Sequence, residues 1–177
     1  MTGQLVFNLL NVKNFNSDDF YVNENNLEAS ELINMWPNWF NGVAVIDGPE
    51  KSGKSHLANI WKESINANIY NLDKNLIFSD ININENFVLD NFHNLSRENE
   101  ENFFHIYNRT FSNKKSILII LDKNEFRKIN LKDLESRFNS FSSATIKAPD
   151  DNLVKALIVK FFNCLLYTSP SPRDRVL

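Results

Sequence analysis

The sequence has little glycine and almost no cysteine. Of its 177 residues, four are glycine and one is cysteine. Because the single Cys164 cannot form an internal disulfide, the sequence indicates a reducing compartment. It also lacks a run of about eighteen apolar residues and a basic N-terminal region followed by an apolar stretch. We therefore expect a cytoplasmic protein that does not span a membrane.

The chain also lacks an excess of positive charge. Its formal net charge is -3 and its pI is about 5.6, so the basic character typical of nucleic-acid-binding and membrane-surface proteins is absent. We expect any connection to DNA to be indirect or local. With 42% hydrophobic residues, a chain of this length can bury one substantial core and begin a second small unit.

Short apolar runs alternate with segments of helical periodicity. The runs predict strands over 42–47, 68–72, 86–90, 116–122 and 143–148. The periodic segments predict helices over 27–39, 54–65, 97–111, 131–138 and 150–162, the first of them stopped near Pro37. Alternation of this kind is typical of an α/β fold with a mostly parallel sheet.

Large aromatic side chains fall mainly on the apolar faces of these helices. We interpret six of them as core residues rather than ligand-stacking groups: Trp39, Phe40, Phe103, Phe104, Tyr107 and Phe111. The histidines show no metal-ligand spacing with Cys164 or with one another. We expect His56, His93 and His105 to be surface or packing residues.

One glycine-rich loop separates a predicted strand from a predicted helix. It matches the Walker A pattern and reads Gly48, Pro49, Glu50, Lys51, Ser52, Gly53, Lys54 and Ser55. Glycines at 48 and 53 let backbone amides and the helix N-terminus face anionic phosphates. Lys54 would reach the β- and γ-phosphates, and the Ser55 hydroxyl would bind Mg²⁺. The loop predicts a site for ATP or ADP.

Polar residues at the ends of later strands could complete this site. Asp90 closes a strand where a Walker B carboxylate would hold Mg²⁺. Asn91 follows it, and an amide cannot accept a proton from the attacking water, which predicts slow hydrolysis. Asp122 could lie beside the γ-phosphate or could be an ordinary turn residue. Arg137 could be an arginine finger for a neighbouring subunit or could form a surface salt bridge.

Several segments together resemble the DnaA-related AAA+ proteins, most closely the Hda branch, from about Gln4 to Phe162. They are 4–9, 19–22, the Walker A loop, 89–91, 104–109, 133–138 and 148–151. The resemblance implies a three-layer αβα AAA+ fold followed by a helical lid. It also implies that Tyr21 and Val22 belong to the nucleotide site, with Asp122 as sensor 1 and Arg137 as the arginine finger.

In Hda-like proteins the opening hexapeptide is a motif that binds the sliding clamp of DNA polymerase III. Gln4, Leu5, Phe7 and Leu9 match it, with phenylalanine in place of an aliphatic residue. Such a peptide would insert apolar side chains into a preformed groove while Gln4 fixes the register. A disordered arm with ordinary hydrophobic residues is the alternative.

The resemblance implies a regulatory mechanism. An ADP-bound protein, tethered to the clamp on DNA, would present Arg137 to ATP held by DnaA and so stop initiation. Contact with DNA would then be only through the clamp, and a homo-oligomer is also compatible. Two other hypotheses remain: an autonomous DnaA-like initiator or helicase-loader ATPase, and a small-molecule kinase, which Asp90-Asn91 and Ser136-Arg137-Phe138 argue against.

These features predict four regions. They are an arm over 1–20 with the clamp motif, a nucleotide-binding AAA+ domain over 21–149, the first helix of a truncated lid over 150–163, and a tail over 164–177. The tail changes composition abruptly into a Ser-Pro-Ser-Pro run, and we expect it to be non-native. The family's sensor 2 arginine would lie beyond the resemblance.

Overall fold

A computed structural model describes residues 20–72, 78–92, 95–122 and 129–168. Within these ranges the strands are β1 Val43–Asp47, β2 Asn68–Asn71, β3 Phe87–Asp90, β4 Ile117–Leu121 and β5 Ser142–Thr145. The helices are α1 Leu27–Asn34, α2 Lys54–Ile65, α3 Arg97–Ser112, α4 Lys132–Phe138 and α5 Asp151–Thr168. The predicted clamp motif with Gln4, Leu5, Phe7 and Leu9 lies outside the described residues, as does His93.

The strands form one sheet in the order β2-β3-β4-β1-β5. Each described strand pairing is parallel, for example Val43 opposite Ile117 and Phe87 opposite Ile117 on the two sides of β4. The predicted parallel α/β sheet is therefore confirmed. Since parallel strands end at the same edge, the carboxyl ends of β1, β4 and β3 lie side by side, and ligand sites of such sheets form there.

Helices cover both faces of this sheet. One buried cluster joins α1 and α2 to alternate strand residues such as Ile46 and Leu118. The second cluster joins α3 and α4 to the strand residues that alternate with those of the first cluster, such as Val45 and Ile119. Successive strand side chains point to opposite faces, so these two clusters are the two layers of a core. The predicted three-layer αβα arrangement is confirmed.

Helix boundaries agree with the sequence in some places and not in others. α2 has the bounds predicted from the helical period. α1 ends at Asn34 rather than near Pro37, and Trp39 instead turns inward, where its indole donates a hydrogen bond of 2.7 Å to the Leu32 carbonyl. α5 continues to Thr168, beyond the predicted end at Phe162.

The aromatic residues predicted to form the core divide into two groups. Trp39, Phe103 and Tyr107 are buried, as predicted, and Phe104 packs partly buried against the core. The prediction is wrong for Phe40 and Phe111, which are 58% and 50% exposed. Phe40 begins a 3-10 turn before β1, and Phe111 lies in the last turn of α3. Both stand where an element begins or ends, so helical spacing did not determine their burial.

No helix in the described part of the chain combines the length and apolar character that crossing a membrane requires.

Candidate phosphate-binding site

The loop between β1 and α2 has a backbone form that depends on glycine. Gly48 has φ 156° and Gly53 has φ 100°. A Cβ atom on Gly48 would lie 2.4 Å from the Ile146 carbonyl oxygen, closer than real Cβ atoms come to backbone. α2 begins at Lys54, so the unpaired amides of its first turn border the loop. Such a loop can surround an anion with backbone N–H groups.

Lys54 lies folded across this loop. Its ammonium donates hydrogen bonds to the Gly48 carbonyl at 2.7 Å and to the Pro49 carbonyl at 2.6 Å. Partial burial lowers the pKa of Lys54, and the nearby carboxylates of Asp122 and Asp90 oppose that shift. The cation is thus held at the loop by neutral carbonyls, from which it can move to a phosphate.

Ser55 and Asp90 come together from different elements. The Ser55 hydroxyl, at the start of α2, donates a hydrogen bond of 3.3 Å to a carboxylate oxygen of Asp90 at the end of β3. Hydroxyl and carboxylate oxygens suit Mg²⁺, which typically takes one or two protein ligands and fills its octahedron with water and phosphate oxygens. The two residues predicted to hold the metal are therefore adjacent and fit it.

Two further acids stand at the same edge of the sheet. Asp122 directly follows β4, which lies between β1 and β3. The charge of Asp122 raises the pKa of Lys54 more than the charge of any other acid does. Asp47, at the end of β1, also raises the pKa of Lys54. Asp122 is thus near Lys54, the lysine predicted to contact the phosphates, as the predicted role of Asp122 requires. Asp47 was missed by sequence reasoning, although its position just before the loop is a usable signal.

Asn91 directly follows Asp90, the predicted Walker B carboxylate, and its backbone departs from a strand conformation. Its φ is 59°, and its backbone N–H donates to an Asp90 carboxylate oxygen at 3.0 Å. Its side-chain amide donates to the Asn71 side chain at 3.3 Å. An amide in this place orients its neighbours by hydrogen bonding, but it offers no base to a water molecule.

A cleft of about 760 Å³ opens beside the phosphate loop. Its lining comes from the segment before α1, the loop, α2 and α5, including Tyr21, Ser52, His56, Leu153 and Ile158. The Ser52 hydroxyl oxygen is buried and makes no hydrogen bond within the described ranges. Apolar walls beside a polar loop fit the base and sugar of a nucleotide.

Val22 and His56 differ in their relation to this cleft, because His56 lines it and Val22 does not. Val22 is 46% exposed and is not part of the lining of this cleft. His56 packs edge-on against Phe20 with ring centroids 5.5 Å apart. His56 is thus a packing residue, as expected, and Tyr21 is the member of the Tyr21-Val22 pair that lines the cleft.

Arg137 belongs to a separate region. It lies exposed in the last turn of α4, on the sheet face opposite α2. Its positive charge opposes the rise that burial causes in the pKa of the Tyr107 phenol on α3. The salt bridges found among the described residues do not include Arg137, so the surface salt bridge considered from the sequence is not seen there. Glu100, a buried carboxylate on α3, also belongs to this region, and sequence reasoning missed it.

Comparisons with solved structures identify the fold. The chain is similar to DnaA bound to AMPPCP and single-stranded DNA, with a TM-score of 0.64, 21% identity, and coverage of 93% of this chain and 59% of that one. Domain III of DnaA from Thermotoga maritima matches with a TM-score of 0.65, 18% identity, and coverage of 89% and 77%. AMPPCP-bound DnaA from Aquifex aeolicus matches with a TM-score of 0.62, 22% identity, and coverage of 87% and 55%.

No protein-family model matches the sequence, and no curated protein matches it. A DNA replication initiation factor, at 19% identity and a TM-score of 0.63, is covered over 53% of its length. The chain thus spans 53% of the length of this factor and 59% of the length of the DnaA bound to AMPPCP and single-stranded DNA. At such identities the likeness concerns the fold: the chain has a parallel α/β fold similar to that of domain III of DnaA.

Proposed function

We propose that the chain is a nucleotide-binding regulator of replication initiation, similar to Hda, that stimulates hydrolysis of ATP bound to a DnaA partner. The observation that carries this proposal is the separation of two regions. The phosphate loop is paired with a metal-binding carboxylate, Asp90, but is followed by Asn91 rather than an acid. Arg137 stands apart on an exposed helix end.

The loop supports ATP or ADP with Mg²⁺ as the ligands. Lys54, the buried Ser52 hydroxyl and the Ser55–Asp90 pair would contact phosphates and metal. A bound Mg²⁺ would neutralise phosphate charge. The cleft with Tyr21 and α5 offers room for the base. Retention of a nucleotide, rather than its rapid turnover, follows from the amide of Asn91.

Arg137 would act on the nucleotide of another subunit. An arginine supplied in trans stabilises the charge that develops on the transferring phosphoryl group and typically accelerates hydrolysis by about a thousandfold or more. Its side chain is exposed at the end of α4 and is not in any salt bridge found among the described residues. An exposed guanidinium that no carboxylate holds suits an encounter with a phosphate.

The clamp part of the proposal rests on Gln4, Leu5, Phe7 and Leu9. Tethering both proteins to a clamp on DNA would raise their effective concentration without tight direct binding. A pull-down with purified sliding clamp tests this part. The double variant Gln4→Ala/Leu5→Ala should lose clamp binding, whereas Asn11→Ala in the same arm should keep it. Equal capture of both variants would refute the clamp assignment.

The hydrolysis part is tested with ATP-loaded DnaA and clamp-loaded DNA. We expect Arg137→Ala to abolish stimulated hydrolysis while leaving nucleotide binding by this chain unchanged. Arg97→Ala is the matched control, because Arg97 is an exposed arginine paired with Glu101 at 3.4 Å. Full stimulation by Arg137→Ala would overturn the proposal.

An autonomous DnaA-like or helicase-loader ATPase is the second candidate. The Ser55–Asp90 contact and the proximity of Asp122 to Lys54 favour it, because they provide the metal and sensor positions of a hydrolysing site. It predicts turnover in the absence of DnaA that Lys54→Ala abolishes. The regulatory function predicts little turnover by the chain alone.

A further inference from the structure

A buried asparagine lies beside the cleft, at the start of α1. Asn26 is 4% exposed and lines the cleft together with Tyr21. It is the N-cap residue of α1, a position where an asparagine side chain typically accepts a hydrogen bond from the first turn of the helix. Here the side-chain amide instead bonds the segment that precedes the helix. Its hydrogen bonds therefore serve the shape of that segment.

Both ends of the Asn26 amide have a partner in this segment. The Nδ2 group donates to the Tyr21 carbonyl at 2.9 Å, and Oδ1 accepts from the Asn23 N–H at 2.9 Å. One partner can only accept and the other can only donate, so chemistry determines the orientation of the amide. An aspartate could keep the second bond but not the first, because a carboxylate has no donor. A side chain of this length needs an amide to satisfy both partners.

Asn26 is itself held in place by the core. The Ser30 N–H donates to the Asn26 carbonyl at 3.0 Å, at the start of α1. Farther along this helix, Leu32 and Ile33 are buried in the cluster that also contains Ile46 of β1. Because packed interiors yield little to small displacements, α1 has a fixed position on the sheet. The Asn26 amide therefore extends from a fixed point.

The segment around Asn26 is also joined to the phosphate loop. The Lys147 N–H, just after β5, donates to the Asn25 carbonyl at 2.9 Å. The preceding Ile146 N–H donates to the Asp47 carbonyl, at the end of β1, at 2.7 Å. The Ile146 carbonyl is also the group that leaves room only for glycine at position 48. Two consecutive residues thus connect the wall of the cleft to the loop, and this connection sets the distance between the phosphate site and the wall.

The residues that precede Asn26 form an outer wall of the cleft. Tyr21 is 50% exposed, and Phe20 packs edge-on against His56 of α2. Both Phe20 and Tyr21 line the cleft. A segment outside helices and strands can sample many backbone conformations, and fixing each residue has an entropic cost. A hydrogen bond to the Tyr21 carbonyl reduces this freedom before any ligand binds.

We propose that Asn26 is a positioning residue for the base and sugar of the nucleotide: by holding the Tyr21 carbonyl, its amide keeps residues 20–26 in the shape of a cleft wall. This inference rests on the proposed function, because it takes the cleft as the place of the base. A wall that became ordered only during binding would lower the affinity. A wall that is already formed avoids this loss, and Asn26 need not touch the nucleotide for that effect.

Two ligands separate this role from general support of the fold. With Mg²⁺ present, ADP would contact both the loop and the cleft, whereas pyrophosphate would contact the loop alone. The ratio of their affinities, measured by titration calorimetry, therefore reports on the cleft wall and cancels changes in the loop or in its charge. Asn26→Ala should lower this ratio by about tenfold, which corresponds to the loss of roughly one hydrogen bond. Asn26→Asp should lower it similarly, since a carboxylate cannot donate to the Tyr21 carbonyl.

Asn113→Ala and Asn113→Asp are the matched controls. The Asn113 side chain also donates to a main-chain carbonyl, that of Ile83 at 3.2 Å, but it is not part of the lining of the cleft, so both controls should keep the ratio of the parent. An unchanged ratio in both Asn26 variants would overturn the positioning role and leave the nucleotide site intact. A lowered ratio in Asn26→Ala but not in Asn26→Asp would overturn the role of the Tyr21 carbonyl. A parent chain that binds neither ligand would overturn both this inference and the nucleotide site of the proposed function.

Discussion

The phosphate loop and the Arg137 region differ in what builds them. The loop is shaped by backbone: Gly48 fits against the Ile146 carbonyl, and its neighbours are fixed by parallel strands that end together. The Arg137 region is shaped by side chains, because the Glu100 carboxylate of α3 accepts hydrogen bonds at the start of α4, and Leu134 and Phe138 of α4 pack against the core. Damage to the first should therefore affect nucleotide binding and stability together, while damage to the second should affect the stability of α4 and leave nucleotide binding unchanged.

The largest expected effect is that of Gly48→Ala. Its new Cβ would meet backbone rather than a movable side chain, so we expect a loss of about 1–3 kcal/mol in the free energy of unfolding, together with loss of nucleotide binding. Gly53→Ala is the control, since the nearest atom to its Cβ would be in the Phe20 ring at 3.8 Å and its cost is mainly conformational, about 1 kcal/mol. Equal urea midpoints for the two variants would contradict a loop shaped by this contact.

Glu100→Gln should have the next largest effect on stability. An amide retains one acceptor oxygen and directs N–H groups at the N–H donors of Asn130 and Leu131, at an expected cost of about 1–3 kcal/mol. Glu101→Gln alters an exposed neighbour paired with Arg97 at 3.4 Å and should change stability by no more than about 0.5 kcal/mol. Denaturation of both variants checks this, and similar midpoints would show that Glu100 does not hold α4.

The difference between the phosphate loop and the Arg137 region also explains which features could be predicted from the sequence. The Walker A loop was recognisable because its residues are consecutive, and α2 and the parallel sheet followed from local period and alternation. Sequence reasoning missed Glu100, since its partners Asn130 and Leu131 lie about thirty positions away. Tyr107 was correctly predicted to be in the core, but no spacing rule connects its phenol to Arg137. Contacts between side chains of different helices have no local pattern.

Asp90→Asn should separate metal binding from nucleotide binding. Asp90 meets Ser55 at 3.3 Å, so its neutralisation should weaken the Mg²⁺-dependent part of ATP binding by about tenfold and change Mg²⁺-free binding little. Asp80→Asn, at an exposed position, is the control. ATP titrations with Mg²⁺ and with a chelator measure this, and loss of affinity in both conditions would contradict a metal role.

The smallest expected effect concerns alkaline pH. Burial raises the pKa of Tyr107, and Arg137 partly opposes that rise. A raised pKa in the folded state stabilises the protein below the unfolded value of about 10 and ceases to do so as pH rises through the folded value. Tyr107→Phe should therefore lose less stability than the parent as the pH rises above about 10. Parallel stability curves would contradict this.

Binding of ATP and ADP to the chain with Mg²⁺, measured by titration calorimetry alongside Lys54→Ala, tests the central claim most directly. Lys54 bonds the Gly48 and Pro49 carbonyls within the loop, so its removal should leave a folded protein that binds neither nucleotide tightly. We predict saturable binding by the parent chain and its loss in the variant. No heat of binding in the folded parent, or equal binding by both, would contradict a phosphate site at Gly48 to Ser55.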